Sequence, residues 1–319
     1  MKITLEEAAK KLLENDSFVI LTHEHPDGDT LGCAFALQYA LKKIGKKVKV
    51  KCSDEIPEKY LYMAKNLKND DFDGEEYVVS VDVADEKLLG RKLESVYGKK
   101  IDLAIDHHAS NRVESKYLCV DPDRAAACEM IFDIINIMGA QVDKDIANCL
   151  YTGLCTDTGC FRYSNTTSKT LKMAAQLMEF GADSFYINTV MFEIKSRTYM
   201  RLETLVMETM ELFFDEKCCV VCITQDMYKK SGSNSSETDP IAAKTRQIEG
   251  VLVGVTLREK EDGSFKVSVR TNENLDASKI CACLGGGGHP KAGGCQVEGP
   301  LENAKQTVLE TVGKFLGES

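Results

Sequence analysis

The chain has 319 residues, 43% of them apolar, enough for two ordinary domains with sizeable cores. Its 40 Lys and Arg against 50 Asp and Glu leave a formal net charge of −10, which argues against a protein that coats or scans duplex nucleic acid. The start reads as an amphipathic helix rather than a leader, no apolar run approaches the roughly 18 residues of a membrane span, and 13 cysteines suit free thiols, so a cytoplasmic protein is expected.

In the N-terminal half, β-rich and helical patterns alternate. SFVILT at 17–22 is a strand, and Leu31, Ala34, Leu37, Ala40, Leu41 and Ile44 set helical spacing over 30–44. Strands are expected at 48–52, 77–83 and 101–105, and helices at 125–138, 144–156 and 168–180. This alternation predicts an α/β domain with a mainly parallel sheet and helices on both faces. A long, mostly helical stretch of mixed charge follows from 183 to 214. Strand runs then return at 218–223, 250–258 and 265–271, with a polar loop at 231–237. The expected organisation is a first domain over 1–187, a helical connector over 188–214 and a smaller α/β domain over 215–319.

The five histidines are His23, His25, His107, His108 and His289, all in polar, Gly- or Asp-rich segments. His23-Glu-His-Pro-Asp27-Gly-Asp29 follows the first strand, Asp82 lies near the end of YVVSVDV, and Asp106-His107-His108 follows IDLAI. Open parallel α/β sheets bind ligands beyond the carboxyl ends of their strands, so three strands deliver Asp and His to one rim. Asp157, after a helical pattern and before a glycine turn, adds a fourth acidic group. A single such Asp reads equally well as a helix cap or turn; the set does not.

Imidazole with carboxylates suits Mn²⁺, Mg²⁺ or Fe²⁺ better than a thiolate zinc site would. Asp27, Asp29, Asp82 and Asp157 together carry a charge that two divalent ions would neutralise, and two-metal centres clamp phosphoryl oxygens. In the C-terminal domain, Gly285-Gly286-Gly287-Gly288-His289 reads as a backbone nest for phosphate or a nucleotide edge, with Lys291 after it and Arg270 as a bidentate cation. Cys219-Val-Val-Cys222 is discounted as a metal or redox pair, because residues three apart in a strand face opposite ways. A zinc site from Cys281, Cys283, His289 and Cys295 is set aside for want of ribbon-like spacing.

Taken in order, His23-x-x-x-Asp27-x-Asp29, Asp82, Asp106-His107-His108, Asp157 and Gly285–His289 resemble the DHH/DHHA1 phosphoesterases over essentially the whole chain, most of all their stand-alone bacterial nanoRNase and 3′-phosphoadenosine-5′-phosphate (pAp) phosphatase type. That resemblance implies two Mn²⁺ ions in an active site in the cleft between the domains. It implies that His23, Asp27 and Asp82 hold one ion and that Asp29, Asp82, His107 and Asp157 hold the other. His108 would face the scissile phosphate and Asp106 would support it, while Arg270, Gly286, Gly287, Gly288 and His289 grip the rest of the substrate.

The implied reaction is hydrolysis of pAp and short RNA by metal-activated water. The partners are thus small nucleotides or short oligonucleotides, with no duplex DNA and no membrane; a homodimer is left open. A cyclic-di-AMP or pApA phosphodiesterase is the rival within enzymes, and a non-catalytic nucleotide- or tRNA-binding module the rival outside them. A RecJ-like exonuclease is disfavoured by length and charge, and a family II pyrophosphatase by the GGGGH segment. Two departures from the family pattern are His25, where Asn is frequent, and Cys33, where Ser is usual. Cys33, Cys155 and Cys160 are expected near the metals, where oxidation of a thiol would inhibit.

Overall fold

The computed structural model describes residues 1–72, 76–272 and 274–317. The chain divides into two compact units, Met1–Ile194 and Lys195–Ser319. No helix among the described residues is long and apolar enough to cross a membrane.

In the first unit the order is α1 (Leu5–Glu14), β1 (Ser17–Leu21), α2 (Gly28–Lys43), β2 (Lys47–Lys51), β3 (Tyr77–Val81), α3 (Arg91–Tyr97), β4 (Ile101–Asp106), β5 (Ser115–Val120), α4 (Ala127–Ile137), α5 (Lys144–Asp157), α6 (Ser168–Glu179) and α7 (Ser184–Asn188). The five strands are all parallel, in the order β2-β1-β3-β4-β5. Alternation along β1 and β3 divides their side chains between two cores. Phe18, Ile20, Val79 and Val81 face α1, α2, α4 and α5, and Val19, Leu21 and Val78 face Leu89, Leu93 and Tyr97 on the other side. The helix α2 is buried from Gly28 to Leu41, all round its circumference. The strand order reverses between β1 and β3, and such a switch point opens a crevice at the carboxyl edge of the sheet.

The second unit holds α8 (Arg197–Met207), β6 (Glu211–Phe213), β7 (Cys218–Ile223), α9 (Gln225–Ser231), α10 (Asp239–Lys244), β8 (Val253–Glu259), β9 (Phe265–Thr271), α11 (Ala277–Ala282), β10 (Gly287–His289), β11 (Ala292–Val297) and α12 (Leu301–Gly317). Its six-stranded sheet runs β10-β11-β9-β8-β7-β6, antiparallel except for the β7–β8 pair. The expected opposition of Cys219 and Cys222 is seen. Cys218, Val220 and Cys222 pack in one core, and Cys219, Val221 and Ile223 pack in another with Tyr199, Leu202 and Val206 of α8.

The stretch expected as a connector is therefore divided. Residues up to Ile194 belong with the first unit, and α8 is a covering helix of the second sheet. The glycine run also differs from the expected nest. Gly285 lies in a turn and Gly286 just after it, whereas Gly287–His289 is a short edge strand paired with β11 and followed by a second turn. A β-carbon on Gly286 would stand 2.2 Å from the Gly294 carbonyl oxygen, so the glycines let two strands meet closely.

Candidate metal centre

Asp27 lies directly after β1 and caps α2: its Oδ1 accepts from the backbone N–H of Asp29 at 3.0 Å and of Thr30 at 3.1 Å. Capping is thus a real part of its work, and the bond fixes where the carboxylate stands. Asp29, fully buried, performs the same service at a distance. It accepts from the N–H of Ala127 at 2.6 Å and of Cys128 at 3.0 Å, the first turn of α4, whose own cap residue offers no side chain. The positive end of α4 therefore holds the Asp29 carboxylate in place.

The two half-buried imidazoles, His23 and His107, are oriented by backbone carbonyls. His23 Nδ1 bonds Glu24 O at 2.8 Å, and His107 Nδ1 bonds Arg124 O at 3.1 Å. With Nδ1–H donating in each, both Nε2 lone pairs turn inward. His23 Nε2 stands 3.6 Å from Asp27 Oδ1 and 3.9 Å from Asp82 Oδ2. His107 Nε2 stands 3.3 Å from Asp157 Oδ2, 3.6 Å from Asp82 Oδ1 and 3.9 Å from Asp29 Oδ2. Asp82 lies between the two groups, with one oxygen toward each. Its φ of +56° is a conformation rare for an L-residue, and its N–H bonds Ile105 O at 2.9 Å.

Asp82 Oδ1 is buried and accepts no hydrogen bond. A bare buried carboxylate oxygen among acceptors is costly unless a cation reaches it. Four of these separations, 3.6 to 3.9 Å, are too long for hydrogen bonds, and the fifth, 3.3 Å, is at the long end. They match ligands of a common ion, because two atoms each about 2.1 Å from one centre stand about 3 to 4 Å apart. The donor set, imidazole nitrogen with carboxylate oxygen, fits a hard-to-borderline divalent metal. His23, Asp27 and Asp82 form one candidate group, and Asp29, His107 and Asp157 another.

Electrostatics agree. Burial, then the Asp29, Asp27 and Asp157 charges, push the Asp82 carboxyl well above the carboxylate range. Burial and the Asp29 and Asp27 charges push Asp157 up to about 8. Burial alone would lower His23, but the Asp27 carboxylate overcomes it and raises the imidazole. In metal-free protein, a group whose folded pKa is raised keeps its proton better folded than unfolded. For Asp157 the resulting stability is complete below pH about 4 and is lost as pH rises to about 8. A thermal-melt series in EDTA is expected to fall across that window, and Asp157→Asn to flatten it.

Asp106 and His108 form a separate pair on the same rim. Asp106 Oδ1 accepts from His108 Nδ1 and from the His107 N–H, both at 2.8 Å, and its Oδ2 from Asn111 Nδ2 at 2.6 Å. Burial would raise Asp106, but the His108 and Asn111 bonds hold it below the usual range. The Asp106 bond in turn raises the half-exposed His108, favouring its protonated form.

The sequence reading missed Asn111, the Arg124 carbonyl and the α4 amides. Only Asn111, just beyond the Asp-His-His run, had a signal in the letters. His25 turns away: its ring bonds Asp54 Oδ2 at 2.7 Å and is largely exposed. The expected oxidation of Cys33 or Cys155 is corrected. Both are fully buried and burial pushes both thiols up, so neither presents a reactive thiolate. Cys160 is half-buried.

In the second unit, the register aligns His289 with Ala292 and Ala292 with Arg270. Arg270 and His289 thus share one row of the sheet on either side of a small residue. Gly287 and Gly288 pair with Gly294 and Gly293 beside them.

Residues 17–154 match the model of the DHH family N-terminal domain, and residues 215–318 that of the DHHA1 domain. The bifunctional oligoribonuclease and PAP phosphatase NrnA of Thermus thermophilus is 32% identical over 300 residues, covering 92% of this chain and 88% of that protein. The Bacillus subtilis protein of the same name is 25% identical, with 88% and 90% covered. A crystal structure of an exopolyphosphatase-related protein from Bacteroides fragilis superposes with a TM-score of 0.87 at 22% identity, over 98% of this chain and 96% of that one. Manganese-bound RecJ of Thermus thermophilus shares the fold at a TM-score of 0.59 and 14% identity, this chain spanning 55% of it and the match covering 99% of this chain. With the paired His/Asp groups on the rim and a 32% identical relative along nearly its whole length, the chain belongs to the DHH/DHHA1 family of metal-dependent phosphoesterases.

Proposed function

We propose that the protein is a cytoplasmic, Mn²⁺-dependent phosphoesterase that converts pAp to AMP and phosphate and trims short RNA to mononucleotides. The observation that carries the reading is the buried Asp82 carboxylate, with Oδ1 unbonded, between two His/Asp groups. Relatives named for both activities support the substrates, and thirteen free cysteines suit a reducing compartment.

His23, Asp27 and Asp82 would hold one ion, and Asp29, Asp82, His107 and Asp157 a second. Divalent ions there supply Lewis acidity to the phosphoryl group and ease deprotonation of the attacking water. His108, its Nδ1 committed to Asp106 and its protonated form favoured by that bond, would offer Nε2–H to the leaving oxygen. Asp106, locked by Asn111, positions that imidazole. Arg270, His289 and the Gly286–Gly288 backbone bind the remainder of the nucleotide.

Turnover of pAp, a three-residue RNA, pApA and cyclic-di-AMP, measured side by side with Mn²⁺, tests this. Cleavage of the linear substrates with the cyclic one spared is expected. Preference for the cyclic compound would reassign the enzyme to second-messenger hydrolysis, and ligand binding without cleavage would make it a binding module.

A further inference from the structure

The turn after Asp157 is more elaborate than holding one carboxylate requires. Gly159, Cys160 and Phe161 take φ of +56, +59 and +61° in succession. Glycine adopts that region freely, but Cys160 and Phe161 do so at a steric cost that surrounding bonds must offset. Those bonds are present. The N–H groups of Arg162 and Tyr163 both reach Thr158 O at 3.0 Å, and the Phe161 N–H reaches Thr158 Oγ1 at 3.1 Å. Arg162 Nε bonds Gly159 O at 2.6 Å, while its guanidinium lies 5.7 Å from the centre of the Phe192 ring. Asn165 Nδ2 ties the far side of the turn to Asp157 O and Ala125 O.

What this bracing fixes is the Tyr163 ring. It lies over Gly159 so closely that a β-carbon there would stand 2.3 Å from Cζ and 2.5 and 2.6 Å from the two Cε atoms. Tyr163 is nevertheless 51% exposed. One side of the ring is covered by backbone and much of the rest meets water. A residue serving only to cover Gly159 has no need of an aromatic ring. A rigid, open aromatic face a few residues from a candidate metal ligand suits a flat π-system, and in a phosphoesterase acting on nucleotides that is the base.

We propose that Tyr163 is the stacking platform for the substrate's nucleobase, and so a determinant of nucleotides over base-free phosphate esters. This rests on the nucleotide reading above and gives it a specificity residue. The test compares wild type, Tyr163→Phe and Tyr163→Leu on pAp and on its abasic tetrahydrofuran analogue. AMP affinity is read separately by equilibrium dialysis.

Tyr163→Leu, which still covers Gly159, is expected to lower the pAp-to-abasic ratio of kcat/KM by about 5- to 150-fold, mostly through KM, and AMP affinity in proportion. Tyr163→Phe is expected to keep both. Equal losses on the two substrates would show a mere brace, and an unchanged ratio would show no base contact; either overturns the proposal. If wild type cleaves no nucleotide, the function reading fails by itself. The AMP affinities then decide the platform alone: a loss in Tyr163→Leu upholds it and none overturns it.

Discussion

Asp82→Asn is expected to lower turnover at least about a thousandfold while raising the melting temperature of the chelated protein. The first effect follows from position. Asp82 stands between His23 at 3.9 Å and His107 at 3.6 Å, so its loss disturbs both groups at once. A thousandfold is about 4 kcal/mol of transition-state stabilisation, within what a metal centre contributes. The second effect follows from charge. Without metal, Asp82 is a buried carboxylate crowded by Asp29, Asp27 and Asp157, with one oxygen unbonded. Asparagine keeps the shape and removes the repulsion. Saturating Mn²⁺ should reverse the order, because binding stabilises only the form that holds the ion, by about 2.7 kcal/mol at a hundredfold excess over Kd. A structural aspartate would lose stability under both conditions, so paired melts with and without EDTA separate the roles.

Gly153→Ala is expected to destabilise the first unit by about 2 kcal/mol or more and to depress activity with it. Gly153 lies on α5 where that helix packs along α2. A β-carbon there would stand 2.3 Å from Cys128 Sγ, 2.7 Å from Asp29 Oδ1 and 3.0 Å from Asp29 Cα. Neither neighbour can yield cheaply. The Cys128 thiol is buried, 3.5 Å from Cys33 Sγ, and the Asp29 carboxylate is bonded to the α4 amides. Alanine's better helix propensity, worth about 1 kcal/mol, is outweighed by that overlap. Adding Cys128→Ala should recover part of the stability, and a double-mutant cycle measures the coupling. Activity should recover less, because Asp29 remains displaced. A neutral Gly153→Ala would mean that the two helices can separate at no cost.

These two positions show where the sequence was readable. Asp82 announces itself at the end of a buried, mostly apolar strand run, where a carboxylate has no packing reason to be. The sheet and its rim were legible for the same cause, since β1, β3 and β4 are buried and read as continuous β-rich runs. The strand β5, SKYLCV, escaped notice because it is half-exposed at the sheet edge and carries no clear alternation. The strand β10 was hidden by its composition, since glycine signals a turn in any local reading and only pairing with β11 makes Gly287–His289 a strand. Gly153 is silent in the sequence. Its importance depends on Cys128 and Asp29 arriving from other helices. The Asp29 bonds to α4 and the Arg124 carbonyl behind His107 are tertiary for the same reason. Tyr163 follows the glycine turn after Asp157, yet its seat on Gly159 needs the left-handed turn to exist.

We read the His/Asp rim as a divalent-metal centre for phosphoester hydrolysis. Its most direct test is a Mn²⁺ titration of fully chelated protein, with bound metal and phosphate release from pAp followed at every point. No release is expected without metal, and release should rise as the rim fills and saturate with it, while Asp82→Asn neither fills nor turns over. Release at full rate from chelated protein, or a filled rim that releases no phosphate, would contradict it.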